Sequence, residues 1–241
     1  MTNTLELFHP FPISDRPISE QERRHHEASR IFIGEITPLR VQRTIYTPFE
    51  FVLDCVEYNV STFSWEFEKL FKKWRSKAKH LGQAPLYKLI PHHRVYQSMA
   101  KTHPAMAVEA DRHGFRFHTG QYLFHGGEWS ESIEAFNTRD VFSVSFNPAP
   151  AIWHARNDRI AKWDKKPGTK PENTLHPTVW ILRVSSLCHT KAILYHKKGA
   201  NMGDEMEAVF SAGIRVQPWR VTHHHDVKIV EAFVHSISRS I

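Results

Sequence analysis

The sequence predicts an α+β fold in which a mostly helical part, residues 1–113, precedes a β-rich part, residues 114–241. Apolar residues recur at helical spacing between Trp65 and Leu81. After Gly114 the pattern changes to short segments of β-branched and aromatic residues, which Pro, Gly and His-rich turns separate. We therefore expect an N-terminal region that contacts substrate or partners and a C-terminal region that carries the functional motifs.

The N-terminal part contains few clear elements. Residues 1–17 are rich in Pro and Phe and predict an irregular arm, a Ser-x-x-Glu capping box predicts a helix over 19–30, and 40–46 predicts a short strand. Within the helix over 65–81, the residues of one face are Phe67, Leu70, Phe71, Trp74, Ala78 and Leu81. Lys and Arg occupy much of the rest of this helix surface. They form either a solvated face or a face that contacts phosphates.

The C-terminal part contains a series of predicted strands. Two helices are expected between them, over 131–136 and 149–162, and a Pro-rich loop over 165–177. The predicted strand segments are Phe115, Phe117, Tyr122–Phe124, Thr178–Val184, Ala192–Tyr195, Glu207–Phe210, Ile214–Trp219 and Val227–Val234.

Composition limits the classes of protein. The chain has 241 residues, 41% hydrophobic and 12% aromatic, which is enough to build a core and excludes a disordered chain. A net charge of +7 favours polyanionic partners such as nucleic acid. Cys55 and Cys188 lack CxxC spacing, so we expect buried, reduced thiols. With neither a secretory signal nor an apolar run of ~20 residues, we expect a cytoplasmic protein without membrane contact.

Several common sites are excluded by missing motifs. The sequence contains no GxGxxG, GxxxxGK[ST] or HExxH motif, which argues against a dinucleotide-binding βαβ unit, a phosphate loop and a zinc protease site. Neighbouring histidines on a strand point to opposite faces, so His223–His225 predicts a polar turn before the last strand rather than a metal site. We expect no metal.

Glu205 and Glu207 lie beside a predicted strand, where residues i and i+2 share a face. Two carboxylates in one cleft can differ in pKa and so take different roles. A carboxylate also stabilises the oxocarbenium-like ribose that forms when the nicotinamide–ribose bond of NAD breaks, as in glycoside hydrolysis. The alternative is a pair of exposed acidic residues on a loop.

Two other motifs precede this one. His125 ends a predicted strand and can donate to a ribose hydroxyl or a phosphate, and Gly126 leaves space for a ligand to approach the backbone. Ser143 and Ser145 alternate along a strand, so both hydroxyls share one face. The alternatives are a structural histidine and a polar edge strand.

The order of these motifs resembles that of mono-ADP-ribosyltransferases of the bacterial-toxin type. That family has an Arg or His at a strand end, then Ser-x-Ser, then Glu-x-Glu before a hydrophobic run ending in Gly. The matching residues here are His125, Ser143, Ser145, Glu205, Glu207 and Gly213, within about 114–237. The resemblance implies a split β-sheet core as the catalytic domain, NAD as a substrate, and a toxin of a toxin–antitoxin or phage-defence module.

The resemblance also implies roles for individual residues. Glu207 would contact the nicotinamide ribose, and Glu205 would activate or position the acceptor. His125 would hold NAD, with a part in catalysis, and Ser143 and Ser145 would support NAD and Glu207. The remaining residues expected at the NAD site are Gly126, together with Phe146 or Trp153 as a ring that stacks on nicotinamide.

The acceptor is less well defined. The Arg-type subclass has Arg at the position of His125, and the other large subclass has His with a Tyr in the second motif, so this chain combines features of both. Basic charge and aromatic side chains favour a nucleic acid acceptor, RNA before DNA, with an inhibitory antitoxin as partner. The alternatives are transfer to a protein arginine, NAD hydrolysis, a non-enzymatic nucleic-acid-binding module and, more remotely, a metal-dependent nuclease.

Overall fold

The structure is a computed structural model that describes part of the chain. The predicted helix over 19–30 and the arm over 1–17, apart from residues 13–14, lie outside the described residues. In the predicted helix over 65–81, the two described residues, Phe67 and Phe71, are helical and buried. The described residues are 13–14, 44–58, 67, 71, 86–95, 104–130, 132–163, 175–194 and 206–237.

The described N-terminal residues are mostly helical. The elements are the antiparallel two-residue strands β1 (Ile13–Ser14) and β2 (Thr44–Ile45), the helices α1 (Pro48–Tyr58), α2 (Pro91–Val95) and α3 (Ala105–His113), and a 3-10 turn (Tyr87–Leu89). The strand predicted over 40–46 corresponds to β2.

A capping box starts α1. The backbone N–H of Glu50 donates to Thr47 Oγ1 at 3.1 Å, and the backbone N–H of Thr47 donates to Glu50 Oε2 at 3.2 Å. Pro48 occupies the first helical position, where its missing N–H costs nothing. These local contacts fix where α1 begins, and its buried face then packs Phe51 into the core.

Nine strands form one mixed sheet, so the predicted α+β class is confirmed. The strand order is β3-β8-β9-β6-β4-β7-β11-β10-β5, and every pair is antiparallel except β7–β11. The strands are β3 (Phe115–Arg116), β4 (Tyr122–Ser130), β5 (Phe136–Asn137), β6 (Phe142–Ser145), β7 (Leu175–Val184), β8 (Lys191–Leu194), β9 (Glu207–Phe210), β10 (Ile214–His224) and β11 (Val227–Ser236).

The sheet is split between β4 and β6. These two strands pair at a single position, Phe124 opposite Ser145, whereas β4 pairs with β7 along its whole length. On one side of the split lie β6, β9, β8 and β3, and on the other lie β4, β7, β11, β10 and β5. The structure therefore has the split sheet that the sequence resemblance implies.

Helix α4 (Pro148–Trp163) follows β6 directly and packs on β4. Contact is close at Gly126, where an added Cβ would lie 1.6 Å from the carbonyl oxygen of Ala151. A glycine is required there because a side chain would push the helix away from the sheet. The helix predicted over 149–162 is confirmed.

Two predicted elements differ from the structure. The helix predicted over 131–136 is wrong, because residues 133–135 have no regular structure and Phe136 begins β5. The Phe136 ring packs 5.3 Å from that of Trp129 and 5.5 Å from that of Trp180, and this burial outweighs local helical preference. Residues 175–177, expected in a loop, extend β7 because they pair with the end of β4.

The predicted boundary after residue 113 falls between α3 and β3. Phe51 and Val52 of α1 nevertheless belong to the same apolar cluster as Leu123 and Phe124 of β4. The division into two regions stays a prediction. Among the described helices, none has the length and apolar character that crossing a bilayer requires.

Helices α2 and α3 are joined through the buried carboxylate of Glu109. It accepts hydrogen bonds from the backbone N–H groups of His92 and His93 at 2.9 and 3.0 Å, and both Nδ1 atoms lie 2.7 Å from it. Burial raises the pKa of Glu109, but these hydrogen bonds outweigh burial and lower its pKa from 4.5 to about 2. Burial lowers the pKa of His93, although Glu109 opposes that shift.

Acid should therefore destabilise this junction. The unfolded chain takes up protons first on His93 below pH 6.5 and then on Glu109 below pH 4.5, so stability falls continuously toward about pH 2. The Glu109→Gln substitution should lower the free energy of unfolding by on the order of 3 kcal/mol at pH 7. It should also make this free energy depend less on pH between 4.5 and 2, and urea unfolding measures both effects. The exposed Glu134→Gln serves as control, and equal pH profiles for Glu109→Gln and the unsubstituted protein would contradict this prediction.

The close contact at Gly126 gives a second prediction. Gly126→Ala forces its methyl group against the backbone of Ala151 and should lower the free energy of unfolding by about 2–3 kcal/mol. Urea unfolding measures this loss, and Val108→Ala, at an exposed position of α3, should change stability little. A Gly126→Ala protein as stable as the parent would show that α4 can move away from β4 at no cost.

Candidate active site

Two of the predicted site residues, Ser145 and Glu207, lie opposite one another beside the split in the sheet. Ser145, the last residue of β6, lies directly opposite Phe124 of β4 on one side and Glu207 of β9 on the other. Residues opposite one another on neighbouring strands share a face. The structure therefore brings Ser145 and Glu207 together, with Ser143 on the same face two residues earlier.

Glu207 begins β9 and is 7% exposed. The residue before it, Met206, has a φ of 51°, a left-handed backbone conformation that residues other than Gly, Asn and Asp rarely adopt. The carbonyl of Met206 accepts a hydrogen bond from the N–H of Phe146 at 3.3 Å, which ties the start of β9 to the end of β6. The strained backbone of Met206 therefore lies directly beside the buried carboxylate of Glu207. Glu205 lies outside the described residues.

Ser145 also begins the turn into α4. Its Oγ accepts a hydrogen bond from the N–H of Asn147 at 3.0 Å, and Asn147 Oδ1 accepts one from the N–H of Ala149 at 3.0 Å. Asn147 therefore caps the helix, and Pro148 takes the first helical position. This role of Asn147 was not predicted, although an Asn-Pro pair before a helical segment is the signal of such a cap.

His125 is oriented by a hydrogen bond across the split. Its Nδ1 lies 2.8 Å from the carbonyl oxygen of Ser143, and a carbonyl can only accept, so Nδ1 carries the proton. In the neutral ring, Nε2 is then the acceptor. The imidazole packs against Phe142 at 4.3 Å and lies 5.8 Å from Trp129, which fixes its plane.

The strand register separates His125 from the other predicted site residues. Along β4, His125 points to the face opposite that of Phe124, whereas Ser145 and Glu207 are on the face of Phe124. Its contact with Phe142 agrees, because Phe142 alternates with Ser143 along β6. His125 and Glu207 therefore border the split from different faces of the local sheet, and this arrangement was not foreseen from the sequence.

Two residues expected at the NAD site occupy other places. Phe146 was expected to stack on nicotinamide, but its ring is 1% exposed and packs 5.0 Å from Phe71 and 5.7 Å from Phe117. The chain turns after β6, and this turn directs the ring into the core. Gly126 was expected to leave space for a ligand, but Ala151 of α4 fills that space.

Trp153, the other candidate for stacking on nicotinamide, lies on α4 and is 57% exposed. It contacts the ring of His154 edge-on at 5.0 Å, so a large part of the indole surface faces solvent. Its exposure is compatible with a planar ligand, and its role stays a prediction.

The remaining predictions concern thiols, turns and metals. Cys55 and Cys188 are buried free thiols as expected, and burial raises the pKa of Cys188 to about 11. The polar turn predicted over His223–His225 is shorter than expected, because His223 and His224 belong to β10 and only His225 lies in the turn before β11. Among the described residues, no group of three or more His, Cys, Asp or Glu is placed to hold a metal ion.

Comparison with known proteins finds similarity among solved structures. No protein-family model matches the sequence, and no curated protein matches it. The Vis toxin, an ADP-ribosyltransferase from Vibrio splendidus, is 11% identical over 79% of this chain and 92% of its own, with a TM-score of 0.45. Vis in complex with agmatine is 11% identical over 83% and 91%, with a TM-score of 0.42.

A type III effector, XopAI from Xanthomonas axonopodis pv. citri, is also similar. It is 11% identical over 93% of this chain and 95% of its own, with a TM-score of 0.35. Similarity at this identity and these TM-scores carries no conclusion about activity, so the chemistry has to be argued from the residues of this chain.

The cap at Asn147 can be tested directly. Asn147→Ala should lower the free energy of unfolding by about 1 kcal/mol, because the N–H of Ala149 loses its acceptor, whereas Asn147→Asp should keep most of the stability. Asn157→Ala, within the same helix, provides the matched control. Urea unfolding of all three variants decides the matter, and an Asn147→Ala protein no weaker than the control would remove the capping role.

Proposed function

We propose that this chain is an NAD-dependent mono-ADP-ribosyltransferase that transfers ADP-ribose to a nucleic acid acceptor, RNA before DNA. The observation that carries the proposal is the buried carboxylate of Glu207 directly opposite Ser145, at the split of the sheet. The order of the His, Ser-x-Ser and Glu-x-Glu motifs supports the same chemistry. A buried carboxylate is costly, and a positively charged reaction centre would offset that cost.

The proposed reaction has two parts. The bond between ribose C1 and the nicotinamide nitrogen breaks, and its electron pair goes to the nicotinamide ring, which leaves uncharged. The ribose then carries positive charge, which Glu207 stabilises across the short distance of a water-poor site. An acceptor nucleophile attacks C1 and loses a proton, which Glu205 is proposed to receive.

Other residues at the split fit a bound dinucleotide. The hydroxyls of Ser143 and Ser145 share the face of Glu207 and can bond to ribose or hold the carboxylate. His125 donates from Nδ1 to the carbonyl oxygen of Ser143, which orients the ring, and the imidazole is the proposed contact for a ligand hydroxyl or phosphate. Trp153 remains the proposed aromatic contact for nicotinamide.

The carboxylate can be tested by a neutral substitution of the same shape. Glu207→Gln should reduce NAD cleavage and transfer by at least about a hundredfold, because an amide cannot stabilise an oxocarbenium ion. Glu205→Ala should reduce transfer more than NAD hydrolysis. The matched control is Glu134→Gln on an exposed segment, and an active Glu207→Gln enzyme would show that the site is elsewhere.

The acceptor class is tested with NAD labelled in its ADP-ribose part and a total cell lysate. Label that survives protease but not RNase supports RNA as acceptor, whereas label that survives RNase but not protease identifies a protein, with arginine side chains the first candidates. NAD consumption without labelled acceptor identifies a glycohydrolase. Intact NAD together with salt-sensitive RNA binding would leave a non-enzymatic binding module.

The cytoplasmic location and the inhibitory antitoxin are part of the same proposal. A toxin that modifies nucleic acid inside its own cell needs an inhibitor, so co-expression with neighbouring genes should restore the growth of cells that the active protein arrests. The Glu207→Gln variant should arrest no growth in the first place.

A further inference from the structure

One end of the large sheet carries partly or fully exposed rings and guanidinium groups side by side. Here the outward-facing side chains of four neighbouring strands form one surface, which we name the aromatic–arginine stripe. It consists of Tyr122 on β4, Arg183 on β7, Phe233 and His235 on β11, and Arg215 and Trp219 on β10.

The strand register builds the stripe. Tyr122 lies opposite Arg183, and Arg183 lies opposite Phe233, so these three share a face. In the outer half of β11, residues 231, 233 and 235 are partly exposed while Ala232 and Val234 are buried, which shows that the face points outward. The stripe crosses three gaps of ~4.8 Å between strands and is therefore about 15 Å long.

A β-bulge in β10 places Trp219 at the end of the stripe. The register shifts between Pro218 and Arg220, so Trp219 is an extra residue on this strand. Its ring lies 4.3 Å from that of Phe233 at an angle of 38°, and it is 44% exposed. On the other side of Phe233, His235 follows at 6.0 Å and 40°. The rings thus lie next to one another, Trp219 exposed and Phe233 and His235 partly exposed.

The arginines of the stripe keep their charge available. Elsewhere in the described chain, Arg156 pairs with Asp226 at 2.9 Å and Arg220 pairs with Glu231 at 3.3 Å. No described carboxylate is paired with Arg183 or Arg215. Arg183 instead lies 5.7 Å over the ring of Tyr122, and Arg215 donates weakly to the amide of Asn137 at 3.4 Å.

We propose that the aromatic–arginine stripe binds single-stranded nucleic acid. Exposed rings stack on unpaired bases, and free guanidinium groups contact the phosphates between them. A length of about 15 Å suits two or three bases, as on other sheet surfaces that bind RNA. An apolar protein surface would leave two arginines without counter-charges, which disfavours a protein partner. The proposal rests on the proposed function only in making this nucleic acid the acceptor.

The stripe differs from the basic helix predicted over 65–81, which is the other candidate for phosphate contact. It is built from strands far apart in sequence, and it begins on β4 three residues before His125. A strand of nucleic acid held on it would therefore lie on the same β-strand that reaches the split in the sheet.

Binding is tested on the full chain without NAD, so that the result is independent of the transfer reaction. The probe is a fluorescent single-stranded RNA of mixed sequence, with single-stranded DNA of the same sequence and a duplex RNA as comparisons. Trp219→Ala should weaken single-strand binding about tenfold, and Trp219→Phe should retain most of it. Arg183→Ala with Arg215→Ala should lower the slope of log affinity against log salt by about 1.4.

Matched controls come from exposed positions outside the stripe. Arg112→Ala with Arg116→Ala removes the same charge, and Tyr46→Ala removes an exposed ring beside α1; both should leave single-strand affinity nearly unchanged. Stripe variants that bind like their controls, or equal affinity for duplex and single strand, would overturn the proposal. An unsubstituted protein that consumes NAD without binding either single strand would overturn this inference and leave the transferase activity standing.

Discussion

The single pairing position between β4 and β6 is the constraint on which the rest of the structure depends. Because Phe124 meets Ser145 and the two strands pair nowhere else in the described residues, the sheet opens there into two parts. The opening is closed laterally by the His125–Ser143 hydrogen bond rather than by a backbone ladder. A polar cleft can exist in the middle of a nine-stranded sheet only if the ladder is interrupted in this way.

Ser145 links this opening to the helix that follows it. Ser145 pairs with Glu207, ends β6 and starts the turn in which Asn147 caps α4. One short segment therefore determines both the position of the carboxylate and the start of the helix. Helix α4 in turn reaches β4 only because Gly126 has no side chain. A change at either contact would alter the distance between the two parts of the sheet, since interiors are packed too densely to absorb it.

One face of the sheet is covered in its middle and open at one end. In the middle of one face, Phe124 is buried beneath Phe51 of α1, while the end of that face is left to the exposed rings of the aromatic–arginine stripe. The bulge at Trp219 adds a ring to this end without disturbing the pairing of β10 with β11 on either side. The proposed binding and the proposed chemistry would thus use different strand positions of one sheet.

Much of the fold followed from the sequence, because strand and helix preferences act over a few neighbouring residues. Glu207–Phe210 is a strand with the predicted bounds, and 149–162 is a helix as predicted. Of the site, Ser145 and Glu207 lie opposite one another on neighbouring strands, and the roles of the site residues stay predictions. The helix predicted over 131–136 was wrong because packing against rings distant in sequence stabilises Phe136 more than a helical turn would.

The sequence by itself determined the elements, the order of the motifs and the cap signals, since each depends on residues within one or two turns or strands. Only the tertiary structure decided that Phe146 is buried, that α4 fills the space at Gly126, and that His125 lies on the other face from Glu207. These outcomes depend on register and on where strands part. Such properties arise from contacts between residues far apart in the chain, which local patterns do not encode.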